Sequence, residues 1–152
     1  MVKCTMACVA ESAIESKDTG ALSLVQIIEA VQGSSFPLVM PRLTAVFFLE
    51  RETGDSESVS LRFRASTPSI AIVEQGVDVA FSGKPRARLT VNFLGFPIPE
   101  IGQIRFEVLT GEGTVLGGWS VDVQAATAVT VGNAPPSGMA ALVTSNSSSK
   151  AM

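Results

Sequence analysis

Apolar residues in this chain recur at every second position, segment after segment, and that period decides the class of fold. Val59, Leu61, Phe63 and Ala65 alternate with Ser60, Arg62 and Arg64. Ala87, Leu89, Val91 and Phe93 alternate with Arg86, Arg88, Thr90 and Asn92, and the rhythm returns in Ile104, Phe106 and Val108 and in Trp119, Val121 and Val123. Successive side chains of a strand point to opposite faces, so each segment reads as a strand with one side in a core and the other in water. A first strand is expected over about residues 2–10, with Val2, Cys4, Met6 and Cys8 on one face, and a strong one over 43–50. A weaker pair is expected at 69–73 and 77–81, broken by Gln75-Gly76. Leu22–Val31 fits two patterns. Leu24, Ile27, Ile28 and Val31 make a helical stripe with Gly33 as its stop, but the β-branched content and the preceding Asp18-Thr19-Gly20 turn favour a strand over about 22–28. Phe36-Pro37 to Pro41 reads as a proline-bracketed connector. With the polar loop 51–58 and the turn Gly111-Glu112-Gly113, the expectation is about eight or nine short strands and no secure long helix. That is an all-β chain folded as an antiparallel sandwich, immunoglobulin-like or related.

At 152 residues the chain suits a single domain. The sandwich is expected over 1–131 and a low-complexity tail over 132–152. Beyond Val123 the only charged residue is Lys150, and Pro135-Pro136, Gly138 and the serine-rich run 145–149 offer too few large apolar groups for a core. A short apolar stretch, Met139 to Val143, stands out in that tail.

Charged residues make up only 16% of the chain, against about 25% in ordinary soluble domains. Much of the surface is therefore uncharged: either the core is unusually large or a partner covers apolar surface, and the nearly uncharged tail favours the partner. The net charge is −3 and the eleven basic residues are scattered, which argues against nucleic acid as a partner. No apolar run reaches the length of a membrane span, and Glu11, Glu15, Lys17 and Asp18 interrupt any leader-like stretch. A cytoplasmic location in the producing cell is expected, with a virion as the other possibility.

A constellation that carries chemistry is missing. The chain has no histidine and no tyrosine, which removes the commonest general base and the usual Ser-His and Cys-His pairs. The carboxylates worth weighing for a hydrolase are Asp78, Glu100, Glu107 and Asp122, with Glu107 and Asp122 at the outward phase of their strands and read as solvated surface. Cys4 and Cys8 lie about 13 Å apart on an extended strand, too far for a disulfide, and read as two small buried hydrophobes. With no histidine and only these two cysteines, a zinc site lacks ligands. Glu52, Asp55 and Glu57 share one loop, as calcium ligands would, but a solvated hairpin tip is the simpler account. Gly111-Glu112-Gly113 joins two strands, so it opens no helix for a phosphate, and Gly117-Gly118 inside a strand reads as a bulge. No cofactor is expected.

One charged patch stands out. If the strands carrying Arg62 and Arg64 and carrying Arg86 and Arg88 pair, four guanidinium groups share an outward face suited to an acidic or phosphate-bearing partner. The plainer reading is two separate wet faces with arginines guarding strand edges.

Gly20-Ala21-Leu22-Ser23-Leu24-Val25-Gln26-Ile27-Ile28, then Ser35-Phe36-Pro37, and later Pro99-Glu100-Ile101-Gly102-Gln103-Ile104-Arg105-Phe106-Glu107-Val108, follow one another in a telling order. This order resembles a domain-of-unknown-function family of short bacterial and phage-encoded β-sandwich proteins, with Ile104 where that family usually carries an aromatic. The resemblance spans about residues 2–123 and implies a sandwich, but no activity and no site residues.

The function expected is therefore non-enzymatic: a structural or protein-interaction module, a subunit of a larger homo- or hetero-oligomeric assembly such as a phage particle. Its candidate contact residues are Arg62, Arg64, Arg86, Arg88, Met139, Leu142 and Val143. The alternatives are a sandwich that encloses a small apolar ligand and, behind it, a carboxylate-based hydrolase.

Overall fold

A computed structural model of the protein describes residues 1–129 and 141–143. The described chain is all β. Its strands are β1 (Lys3–Glu15), β2 (Leu22–Ile27), β3 (Ala30–Gly33), β4 (Leu38–Glu50), β5 (Ser58–Ser66), β6 (Ala71–Ala80), β7 (Arg86–Ile98), β8 (Gly102–Thr110), β9 (Val115–Ala125), β10 (Thr127–Val129) and β11 (Ala141–Val143). A four-stranded sheet in the order β2-β1-β4-β7 faces a five-stranded sheet in the order β3-β9-β8-β5-β6. The core lies between them. Phe47 and Phe93 of the first sheet meet Phe63 of the second at ring-centroid distances of 5.8 and 5.7 Å, and Phe96 meets Phe106 at 5.4 Å. Burying each ring contributes about 1.5–3 kcal/mol relative to leaving it in water.

The structure corrects the sequence reading at several strands. β1 does not keep one apolar face. The pairing with β4 shifts between Cys4 and Met6, so that Cys4 opposes Leu49 while Met6 opposes Phe48. The extra residue, Thr5, reverses the phase as a bulge does. Val2 and Cys4 therefore face the core with Ala7 and Val9, whereas Met6 and Cys8 face out. The weak pair at 69–73 and 77–81 is one strand, β6, because Gln75 and Gly76 stay in register with Phe63 and Arg62 of β5. The proline connector is in large part strand, since β4 starts at Leu38 and passes through Pro41 opposite Gly95. Both strands bend there, and Gly95 takes φ +81°, a conformation that a β-carbon would strain. Finally, not every pairing is antiparallel. Residues 22–33 make two strands: the chain leaves the first sheet after Ile27, crosses at Ile28–Glu29, and enters the second as β3, parallel to β9. Trp119 fastens the crossing, its Nε1–H donating to the Ile28 carbonyl at 2.8 Å.

The β1–β2 hairpin has a second role. An extended strand would carry Glu15 about 30 Å beyond Met6. Yet Arg88, on β7 two strands away, donates from Nη2 to Glu15 Oε2 at 2.5 Å and to the Gly20 carbonyl at 2.9 Å. The hairpin has folded back as a strap over the outer face of its own sheet. That is why Cys8, Ala10, Thr44 and Val46 are at most 5% exposed although none of the four points into the sandwich. The tail segment is also more structured than composition suggests: β10 and β11 form an antiparallel pair, with Ala128 opposite Leu142 and Thr127 opposite Val143. Among the described residues no helix is long and apolar enough to cross a membrane.

Candidate functional site

The four arginines do not share a face. β5 pairs with β6 and β8 in one sheet, and β7 pairs with β4 in the other, so Arg62 and Arg64 sit on the opposite side of the sandwich from Arg86 and Arg88. Each guanidinium also has a carboxylate partner. Arg62 bonds Glu74 at 2.9 Å, Arg64 bonds Glu107 at 2.8 Å, Arg86 bonds Glu50 at 3.1 Å, and Arg88 bonds Glu15. Apart from Arg64–Glu107, these pairs lie at the surface and contribute about 0–1 kcal/mol each. Of the tail residues, Leu142 and Val143 lie on β11, paired with β10, and Met139 lies outside the described residues.

The outer face of the five-stranded sheet holds a cluster that sequence reading missed. Glu107 is buried, not solvated. Arg64 reaches it from β5, and Arg105, two residues earlier on β8, donates to it at 3.2 Å and to Ser120 Oγ at 3.0 Å. Gly118 makes room for this cluster. It lies opposite Glu107 on β9, and a β-carbon there would stand 2.9 Å from the Phe106 carbonyl oxygen and 3.2 Å from Glu107 Cγ. Burial alone pushes the Glu107 carboxyl up, but the hydrogen bonds and charges of Arg64 and Arg105 outweigh it and hold the group below the usual glutamate range. Held ionised between two cations, Glu107 is a poor proton donor. The neighbouring Gly117 is small for a similar reason, since a β-carbon would come within 2.8 Å of the Cys4 side chain from the facing sheet. A bulge is present beside the glycine pair, at the register shift between Val108 and Leu109.

The other weighed groups are held apart. Asp78 accepts from Ser60 Oγ at 2.7 Å and Asp122 from Gln103 Nε2 at 3.4 Å. The acidic loop is occupied by the protein itself: the Met1 ammonium bonds Glu52 and Asp55 at 2.8 and 2.7 Å, while Glu57 takes Arg51 and the Gly83 N–H. Among the described residues, no three His, Cys, Asp or Glu side chains gather as a metal site. Cys4 and Cys8 are free thiols, and burial pushes both above the ordinary thiol range, away from the reactive thiolate.

What remains is a sheet edge. On one side the sandwich is closed by the β2–β3 crossing, but on the other β7 and β6 both end their sheets. The two edges differ. β6 carries Glu74 and Asp78, and it turns the exposed, polar Gln75 toward the sandwich interior opposite Phe63. These are devices that discourage a further strand from adding. β7 has no charged residue from Leu89 to Ile98 and no proline until Pro97. Its inward residues Leu89, Val91 and Phe93 are only partly buried, whereas the β4 residues opposite them, Phe47, Ala45 and Leu43, are at most 1% exposed. On its outer side Leu94 is 87% exposed, and Val39, opposite Pro97 on β4, is 61% exposed. A recess of about 570 Å³ lies at the other end of the same outer face, lined by Thr5, Met6, Phe48, Glu50, Arg86 and Arg88. Its charged groups are already paired with one another or with the strap.

Comparison with known proteins gives a family and a loose structural likeness. The family described as "Family of unknown function (DUF6941)" matches residues 5–124. Among solved structures, an immunoglobulin-like protein (PA1606) from Pseudomonas aeruginosa is similar at 17% identity, over 81% of this chain and 96% of that one, with a TM-score of 0.37. A superposition that loose carries no functional argument. No curated protein matches the chain.

Proposed function

The chain belongs to that family of unknown function, and we propose that it is a non-enzymatic protein-interaction module, a subunit of a larger assembly. The observation that carries this reading is the uncharged edge of β7, flanked by exposed Leu94 and Val39. Among the described residues, no strand pairs the outer side of β7, and strand addition there satisfies its backbone groups while burying apolar surface. The interior supports this over a ligand-enclosing sandwich, because Phe47, Phe63, Phe93, Phe96 and Phe106 pack ring to ring through it. The carboxylates support it over a hydrolase, because Glu107 is neutralised by arginines and faces no second carboxylate. A shell, tail or filament, phage particles among them, is the kind of assembly a sandwich with one open edge suits. Sedimentation of an extract of the producing cell tests the reading. The wild-type chain is expected in particles heavier than one chain, and Leu94→Lys is expected to shift it toward the lone chain. Wild-type protein sedimenting as a lone chain would overturn it.

A further inference from the structure

We propose that the β7 edge is a self-association surface, and that a second copy of this chain adds antiparallel to it across a two-fold axis at Asn92. The inference rests on the interaction reading above and names its partner. Three features select a second copy. The first is charge. Arg86 and Arg88 lie at one end of β7, outside the uncharged Thr90–Leu94 stretch that pairs, so no like charges meet. The second is pairing chemistry. With Asn92 on the axis, Val91 of each copy faces Phe93 of the other on the inner side, an aromatic–β-branched pair of the kind sheets favour. Thr90 faces Leu94 on the outer side, and all four of these outer residues in the dimer are exposed in the single chain. Asn92 Oδ1 already accepts from Thr44 Oγ1 at 2.9 Å, which ties the residue on the axis to β4. The third is geometry. β4 and β7 both change phase just past Leu94, so in-phase pairing ends there and runs from Thr90 to Leu94. A C2 contact built this way is isologous and closes after two copies. It joins the two four-stranded sheets into one and covers the partly exposed Val91 and Phe93 at the open seam.

Register makes the proposal testable, because residue 90 of one copy must face residue 94 of the other. Purified full-length wild-type protein is expected to show twice the mass of one chain by light scattering at about 100 µM, a concentration that populates any micromolar dimer. Thr90→Lys combined with Leu94→Lys places lysine against lysine twice and is expected to give the mass of one chain. Thr90→Lys combined with Leu94→Glu places lysine against glutamate twice and is expected to restore the doubled mass. Both positions are exposed, and an unchanged circular dichroism spectrum confirms folding of each variant. A wild-type monomer overturns the proposal, as does a dimer indifferent to the double lysine or a lysine–glutamate variant that stays monomeric. If the purified chain is monomeric yet sediments in a larger particle in the extract, the self-association fails while the interaction reading stands.

Discussion

Glu107 shows how one residue's role depends on neighbours distant in sequence. By phase it is an outward residue of β8 and looks solvated, yet Arg64 of β5 and Arg105 close over it, and the missing side chain of Gly118 gives it space. Its carboxyl is held below the usual range in the fold and returns to that range on unfolding. The stabilisation is therefore fully present above the ordinary glutamate range and is lost as pH falls through the lowered native value. Glu107→Gln removes that titration. It is expected to cost about 1–3 kcal/mol at neutral pH, where two arginines lose their anion. The difference from wild type should shrink steadily toward acid. Urea unfolding of both proteins at several points between about pH 3 and pH 7 checks this, and a constant gap across that range would contradict it.

Among the elements, the β2–β3 crossing holds the two sheets together along one side. It is pinned at three points: the Trp119 indole on the Ile28 carbonyl, the Asp122 N–H on the Glu29 carbonyl, and the Ala126 N–H on the Gly33 carbonyl. Trp119→Phe keeps an aromatic ring but leaves the Ile28 carbonyl without its donor, at an expected cost of about 1–2 kcal/mol. The loss should be local before it is global. Amide exchange at Asp122 and Ala126 is expected to quicken, while the central β4 amides, buried by sheet neighbours on both sides, keep their protection. Equal acceleration in β4 and β9 would show that the crossing is not a separate unit of stability. The strap formed by β1 and β2 is the element least visible in advance. Glu11, Glu15, Lys17 and Asp18 read as a polar connection, and only the Glu15–Arg88 contact reveals that the segment returns across the sheet.

At the scale of the whole molecule, the sandwich core draws on residues from Val2 to Val123, and β10–β11 form a sheet of their own. A chain ending at Ala126 is therefore expected to fold cooperatively, with a Tm within about 2 °C of the full chain. Calorimetry of the shortened protein measures this, and a loss of cooperativity would place the last strands inside the folding unit. The all-β class and the core faces of β5, β8 and β9 are legible from residue order, because alternation is a local property. Leu61, Phe63 and Ala65 are buried where their spacing places them, as are Ile104, Phe106 and Val108. Local order does not say which strands become neighbours. One extra residue at Thr5 reverses a face, and a two-residue crossing at Ile28–Glu29 moves the chain to the other sheet. The assignment of β5 and β7 to opposite sheets divides four arginines that alternation alone had allowed to gather. Period-two patterning specifies the side of a strand that is buried, whereas pairing and register are settled by contacts between segments far apart in the chain. Only the tertiary structure therefore decided that Glu107 is enclosed, that the β1–β2 hairpin is a strap, and that among the described strands β7 ends its sheet.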